Sequence, residues 1–160
     1  MTTSPLIRAA LIVSDLDRSV AFYTDVIGLE ETFFEGTLDH PAAAQLIGMP
    51  PESNIRARIL KVPGPAFGMV GLFESTDPAP PELKRPNKGV NLGELCMVFY
   101  VSDLDPVVAR LEAGGHDIVC PPVFLQVGER GGQREMTFRD PDGAMINMIE
   151  RDPNAVFETA

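Results

Sequence analysis

An internal repeat constrains the fold of this chain more than any other feature of its sequence. Residues 11–23 read LIVSDLDRSVAFY and residues 99–111 read FYVSDLDPVVARL, with seven of thirteen positions identical at an offset of 88 residues. Solenoid repeats recur after roughly 20 to 50 residues, so this longer offset indicates two copies of one small module. The 160 residues amount to a single domain, which must therefore be built from two similar halves.

Each copy opens with a strand, places an aspartate at the N-cap position of a helix and ends that helix at glycine. In the first copy the strand is residues 7–13, the N-cap is Asp15 and the helix ends at Gly28. In the second copy the strand is residues 96–101, the N-cap is Asp103 and the helix ends at Gly114-Gly115. Each copy closes with two strands around a turn, PGP within residues 55–74 and DPDG within residues 134–150. One more strand follows each helix, at residues 29–34 and 117–120. The sequence therefore predicts an α+β fold of two tandem βαβββ modules.

The remaining segments set the boundaries within one predicted domain of residues 1–160. Module one spans residues 6–74, a proline-rich linker spans 75–93, module two spans 94–150, and the tail is 151–160. Two loops are long for so small a domain: residues 35–54, with a short helix at 41–47, and residues 121–133. Loops of this length serve as functional lids or are simply variable, and the sequence does not separate these two interpretations.

The charge and the cysteine content restrict the partners of this chain. Thirteen Lys and Arg against 23 Asp and Glu give a net charge of −10, which disfavours nucleic acid and anionic membrane surfaces. The first residues lack the basic start and the long apolar run of a targeting or membrane segment. Two cysteines are too few for a disulfide scaffold, and they favour a cytoplasmic protein with free thiols.

Together, the opening motif VSDLDRSVAFYTDVIGLE at residues 13–30 and the closing motif FRDPDGAMINMIE at residues 138–150 resemble the vicinal oxygen chelate superfamily. This superfamily contains glyoxalases, bleomycin-resistance proteins and extradiol dioxygenases. The resemblance covers residues 6–74 and 94–150, and it implies two mixed sheets cupped around a shared cavity, in a homodimer. It also implies a divalent metal that is held by His and Glu side chains and acts as a Lewis acid on two neighbouring substrate oxygens.

The metal-ligand positions of the family can be transferred to this chain one at a time. They fall on Arg8 and Cys96 in the opening strands, and on Gly71 and Asn147 in the closing strands. One thiol and one amide are too few donors for a transition metal, so we expect neither a metal nor another cofactor. His40 and His116 are expected to be solvent-facing loop residues.

Several side chains are candidates for binding a ligand in the predicted cavity. Arg8 is either an anion clamp or one half of an internal ion pair. Cys96 is either an inert packed thiol or a nucleophile, and Asn147 either contacts a ligand or is satisfied within the sheet. Nearby strand positions supply an apolar lining and a phenol, and they complete the predicted ligand-binding set of Arg8, Ile12, Met69, Cys96, Tyr100, Met145 and Asn147.

The resulting prediction is a glyoxalase-like protein that binds a small, partly apolar organic anion without a metal. The alternative is a metal-dependent lyase, isomerase or dioxygenase of the same superfamily with a displaced ligand set. A third possibility, an interaction protein, requires a cavity filled by side chains. The sequence shows no positioned acid–base pair, so it does not decide whether the protein catalyses a lyase or isomerase step or only binds its ligand.

Overall fold

The structure is a computed structural model that describes residues 3–87, 89–126, 128 and 131–156. The chain divides into two compact units between Lys84 and Arg85. Each unit contains one four-stranded mixed sheet. None of the helices in the described ranges is long and apolar enough to cross a membrane.

The first unit contains four strands and two helices. They are β1 (Arg8–Ile12), α1 (Leu16–Phe22), β2 (Glu31–Leu38), α2 (Pro41–Leu46), β3 (Ile55–Lys61) and β4 (Met69–Ser75). A π-helical turn over Tyr23–Ile27 extends α1. The strand order is β1-β4-β3-β2, in which β1 runs parallel to β4 and the other pairs are antiparallel.

The second unit repeats this arrangement. Its elements are β5 (Cys96–Val101), α3 (Asp105–Ala113), β6 (Ile118–Gln126), β7 (Gly132–Arg139), β8 (Met145–Glu150) and a 3₁₀ turn over Pro153–Val156. The order β5-β8-β7-β6 has the same parallel and antiparallel pairs as the first sheet. Both predicted βαβββ modules and the α+β class are therefore confirmed.

The helix signals in the sequence are reproduced, with one difference. The carboxylate of Asp15 accepts a hydrogen bond from the Arg18 amide at 2.9 Å, and Gly28 ends the helical segment with φ of 89°. In the second unit, however, the N-cap residue is Leu104 rather than Asp103. Asp103, the residue before this N-cap, still accepts a hydrogen bond from the Asp105 amide at 2.9 Å, so its carboxylate satisfies an N–H group in the first turn of the helix.

A carboxylate at the end of the last strand of each unit also caps the helix of that unit. Oε1 of Glu74 accepts from the Leu16 amide at 3.2 Å, and Oε2 of Glu150 accepts from the Leu104 amide at 3.1 Å. Arg56 and Arg134 donate to these two glutamates at 2.9 Å, and each also pairs with an aspartate in the first turn of the helix. The two arginines are thus held in salt bridges that join the sheet to the helix.

Two segments predicted as loops contain more regular structure than the sequence indicates. Strand β2 continues to Leu38 before α2, and β6 continues to Gln126 although it contains Pro121 and Pro122. Strand β6 lies at the edge of its sheet, and its register with β7 shifts between Cys120 and Val123. Because an edge strand pairs on one side only, the N–H groups that the two prolines lack interrupt no hydrogen-bond ladder in the middle of the sheet. In the tail, the turn at 153–156 is ordered, and residues 157–160 lie outside the described residues.

An ion pair fixes the segment that precedes β5. Nη1 of Arg139 lies 2.6 Å from Oε1 of Glu94, and the guanidinium also donates to the carbonyls of Gly89 and Gly143 at 2.7 Å. The Arg139 hydrogen bond, supported by the Asn91 amide, lowers the pKa of Glu94 to about 2. This charged contact therefore ties the end of the predicted linker to the second sheet.

Candidate functional site

The first sheet carries a solvent-exposed strip along β1. Arg8, Ala10 and Ile12 alternate with the half-buried Ala9 and Leu11, and Ile12 is 42% exposed. The alternation predicted from the sequence thus places Arg8 and Ile12 on one open face. On the same face, α2 covers the neighbouring part of the sheet through the cluster formed by Ala44, Ile55, Ala57 and Phe73.

The side chain of Arg8 lies over Gly71. A Cβ atom built at Gly71 would lie 3.5 Å from Cδ of Arg8 and 2.8 Å from Cε2 of Phe73. A contact of 2.8 Å is shorter than carbon atoms tolerate, so a larger side chain at position 71 would displace the ring. Glycine at position 71 therefore leaves the space into which the side chains of Arg8 and Phe73 pack.

The guanidinium of Arg8 has no hydrogen-bond or salt-bridge partner among the described residues. Arg56, Arg58 and Lys61 of the same unit each pair with a carboxylate. Of the two interpretations that the sequence left open for Arg8, the internal ion pair thus finds no carboxylate in the part of the chain that is described.

The pairing register of the strands in the second sheet shows which residues lie on the corresponding face. Its residues form three rows across the sheet: Tyr100, Ile149, Glu135 and Val123; Val98, Asn147, Thr137 and Cys120; and Cys96, Met145 and Arg139. Val98 is 57% exposed and Val123 is 48% exposed, so this face also meets solvent. Four predicted site residues, Cys96, Tyr100, Met145 and Asn147, therefore share one face.

A small polar cluster occupies the middle of this face. Nδ2 of Asn147 donates to Oε2 of Glu135 at 3.4 Å and to Oγ1 of Thr137 at 3.3 Å. Nε2 of Gln133 donates to Oε1 of Glu135 at 2.8 Å. Asn147 is therefore partnered by side chains of the neighbouring strand, and a half-buried carboxylate is held by two neutral amides.

Tyr100 lies at the edge of the same face, beneath a cation. The guanidinium carbon of Arg151 is 5.3 Å from the centroid of the Tyr100 ring, which is the range of a cation–π contact. Arg151 has no carboxylate partner among the residues that the structure describes. The second face thus presents both a carboxylate and a cation.

The remaining predicted site residues are less accessible. Met69 is 3% exposed and Met145 is 7% exposed, so their side chains are mostly covered. Cys96 is half-buried, and burial raises the pKa of its thiol, which opposes the thiolate needed of a nucleophile or metal ligand. His40 is exposed and caps α2 through Nδ1, whereas His116 is half-buried rather than solvent-facing.

The residues at the metal positions of the family do not fit a metal ion. Arg8 carries a positive charge, Gly71 has no side chain, the thiol of Cys96 is disfavoured as a thiolate, and Asn147 directs its amide nitrogen toward Glu135. Within the described ranges, no group of three His, Cys, Asp or Glu side chains is arranged to hold a metal ion.

The sequence reasoning did not single out Gln133, Glu135, Thr137 or Arg151 on the second face. A signal was present, because Glu135 and Thr137 alternate with the buried Met136 and Phe138. Such alternation identifies the open face of a strand. Arg151 follows the last strand and gave no comparable signal.

Comparisons with known proteins place this chain among related sequences. The family model described as Glyoxalase/Bleomycin resistance protein/Dioxygenase superfamily matches residues 6–148. The chain is 28% identical to a 2-epi-5-epi-valiolone epimerase from Actinomyces sp. over 156 residues, covering 94% of this chain and 81% of the epimerase.

Solved structures show the same fold. A glyoxalase family protein from Bacillus cereus is 22% identical with a TM-score of 0.73, covering 93% of this chain and 97% of its own. A glyoxalase family protein from Enterococcus faecalis is 21% identical with a TM-score of 0.60, covering 94% of this chain and 100% of its own. From its two βαβββ units and the match over residues 6–148, we conclude that the chain belongs to the glyoxalase/bleomycin resistance protein/dioxygenase superfamily.

Proposed function

We propose that this protein binds a small, partly apolar organic anion through Arg8, without a transition metal at the positions that the family uses. The observation that carries this proposal is the Arg8 guanidinium on the open face of the first sheet, which has no hydrogen-bond or salt-bridge partner among the residues that the structure describes. The chain has 23 acidic residues against 13 basic ones, so carboxylates are plentiful as partners for its arginines. An arginine without one, on a ligand-binding fold, is available to an external anion.

The surroundings of Arg8 support a ligand with an apolar part. Ala10 and Ile12 continue the exposed strip on the same strand face. Apolar surface beside a single charged group is typical of small-molecule sites, in which the charge orients the ligand and the apolar contacts supply affinity. Arg8 and Ile12 are therefore assigned to ligand binding.

The test uses hexanoate as a small, partly apolar anion. One charge-assisted hydrogen bond contributes roughly 1.5 to 3 kcal/mol, so Arg8→Met should weaken hexanoate binding about tenfold to more than a hundredfold. Arg18→Met is the matched control, because it removes an exposed arginine that donates to Ser14. Binding is measured by calorimetry at low salt. Equal affinities of wild type and Arg8→Met for hexanoate would refute the anion clamp.

The alternative of a metal-dependent lyase, isomerase or dioxygenase with displaced ligands makes a different prediction. Because the family positions supply too few donors, we expect less than about a tenth of a transition ion per chain after purification without chelator. Elemental analysis measures this content. Stoichiometric metal, with activity that is lost on chelation and restored on re-addition, would favour the alternative.

An isomerase step is a second candidate function, because the relative from Actinomyces sp. is an epimerase. Epimerisation next to a carbonyl exchanges a carbon-bound proton with solvent when it proceeds through an enolate. Incubation of a bound hydroxy ketone in deuterated water, followed by NMR, detects this exchange. Deuterium incorporation would assign catalysis to this chain, and its absence would leave ligand binding as the function.

The proposal extends to the setting of the protein. We propose a homodimer in the cytoplasm that acts on small molecules and has no nucleic-acid or membrane partner. The net charge of −10 supports the exclusion of polyanionic partners, and the two free cysteines support a reducing compartment.

A further inference from the structure

Glu135 is a half-buried carboxylate on β7 that has no cationic partner among the residues that the structure describes. The two other strand glutamates in the described ranges that are buried or half-buried, Glu74 and Glu150, each pair with an arginine. Taking a carboxylate out of water costs free energy unless an opposite charge or several hydrogen bonds compensate for it. The charge of Glu135 is therefore available to a cation that the described residues do not supply.

Two neutral amides hold this carboxylate in place without neutralising it. Nε2 of Gln133 donates to Oε1 of Glu135 at 2.8 Å, and Nδ2 of Asn147 donates to Oε2 at 3.4 Å. A carboxylate accepts about four hydrogen bonds, so about half of this capacity is unused. The same Asn147 nitrogen donates to Oγ1 of Thr137 at 3.3 Å, and no donor among the described residues reaches Oδ1 of Asn147. The cluster therefore offers mainly acceptor oxygens to a ligand.

Arg151 is the cation that this face presents, and it is engaged with an aromatic ring. Its guanidinium carbon lies 5.3 Å from the centroid of the Tyr100 ring. Tyr100 and Glu135 are the two sheet partners of Ile149, so their backbones are two strand spacings, or about 10 Å, apart. Exposed charges at such a separation are largely screened by physiological salt. Arg151 therefore does not compensate the charge of Glu135.

Exposed valines lie beside the acceptor cluster. Val98 pairs with Asn147 in the sheet and is 57% exposed, and Val123 pairs with Glu135 and is 48% exposed. Apolar surface next to a single charged group is typical of a site for a small organic ion. A ligand that carries a positive charge on an apolar body would compensate the carboxylate and cover the valines.

We infer that Glu135, Thr137 and Asn147 form a binding site for a primary alkylammonium ion on the second sheet. An ammonium group has three N–H donors, which match the acceptor oxygens of the cluster. A hydroxyl group would also satisfy these acceptors, but it would leave the charge of Glu135 uncompensated. The net charge of −10 raises the concentration of small cations near the chain. The inference concerns the second unit alone, and it does not depend on the anion site proposed for Arg8.

The test compares hexylammonium with hexanol, which has the same carbon chain and a hydroxyl group in place of the ammonium. We expect one hexylammonium ion to bind per chain, at least about tenfold more tightly than hexanol, because charge-assisted hydrogen bonds are stronger than neutral ones. Glu135→Gln keeps the shape of the side chain and removes its charge. It should weaken hexylammonium binding about tenfold or more and leave hexanol binding nearly unchanged. Calorimetry at low salt measures these affinities.

A readout at the site and a control carboxylate complete the test. In wild type, NMR titration with hexylammonium should shift the side-chain amide signals of Asn147 and the methyl signals of Val98 and Val123, which needs no variant to fold. Glu112→Gln removes an exposed carboxylate on α3 and should change neither affinity. The ammonium site is overturned if these signals do not move, if hexanol binds as tightly as hexylammonium, or if Glu135→Gln keeps the wild-type affinity. Equal losses in Glu112→Gln and Glu135→Gln would overturn it as well, because they would show attraction to the overall charge alone.

Discussion

The two glutamates that cap the helices lead to a quantitative prediction for stability, because the repeat places nearly the same contact in two environments. Glu74→Ala removes the acceptor of the Leu16 amide and leaves that N–H group unpaired beside a side chain that is 5% exposed. Loss of a helix cap costs about 0.5 to 2 kcal/mol, and a buried unsatisfied N–H costs about 1 to 3 kcal/mol. Because these two terms describe one contact, they are not added, and we expect a loss of about 1 to 3 kcal/mol in the free energy of unfolding.

The ion pair with Arg56 contributes less than this cap. The Arg56 side chain is 50% exposed and keeps Asp17 as a partner, and exposed pairs contribute about 0 to 1 kcal/mol. Glu74→Gln retains an oxygen that can accept from Leu16, but it removes the charge and replaces the oxygen that accepts from Arg56 with an NH₂ group. We therefore expect Glu74→Gln to cost less than about 1 kcal/mol.

The second unit provides the matched comparison. The Glu150 side chain is 26% exposed, against 9% for Glu74, so water can replace part of the lost contact in Glu150→Ala. We expect that variant to lose about 1 kcal/mol. Urea titrations followed by circular dichroism measure all three variants. The reasoning is refuted if Glu74→Gln is as destabilised as Glu74→Ala, or if Glu150→Ala loses more stability than Glu74→Ala.

Four further predictions concern the core, pH, a thiol and assembly. Leu111→Ala should cost about 2 to 5 kcal/mol, because Leu111 is fully buried in α3, whereas Leu92→Ala at an exposed position should leave the urea midpoint unchanged. The folded-state pKa of Glu94, about 2, lies below its ordinary value of 4.5, so ionised Glu94 stabilises the fold above about pH 4.5 and this contribution is lost as the pH falls toward 2. Glu94→Gln should therefore flatten the acid limb of stability against pH, and an unchanged limb would contradict the Arg139 contact. In a Cys120→Ser background, the iodoacetamide reaction of Cys96 should rise at a higher pH than that of free cysteine, because burial raises its pKa, and a rise at lower pH would show an activated thiol. Sedimentation velocity at micromolar concentration should show a dimer, since small modules gain buried surface by pairing, and a monomer alone would contradict the proposed homodimer.

The sequence by itself determined the repeating architecture. Capping, glycine termination and period-two alternation are local properties, so Asp15, Gly28 and the strand of residues 96–101 were predictable without knowledge of their tertiary contacts. The shared face of Arg8, Ala10 and Ile12 on β1 followed from the same alternation, whereas the exposure of Arg8 is a finding of the folded unit. The limits of β6 were not predictable, because a proline pair is acceptable only on an edge strand, and strand order is a property of the whole sheet.

The tertiary structure alone decided which polar groups meet. Glu135 and Asn147 are separated by twelve residues along the chain, and only the register between β7 and β8 brings their side chains into contact. Likewise, an isolated arginine in a sequence has many possible carboxylate partners, and only the folded chain shows that Arg56 and Arg134 have them while Arg8, among the described residues, does not. Pairing energies fall off within a few ångströms, so they depend on distances that only the folded chain defines.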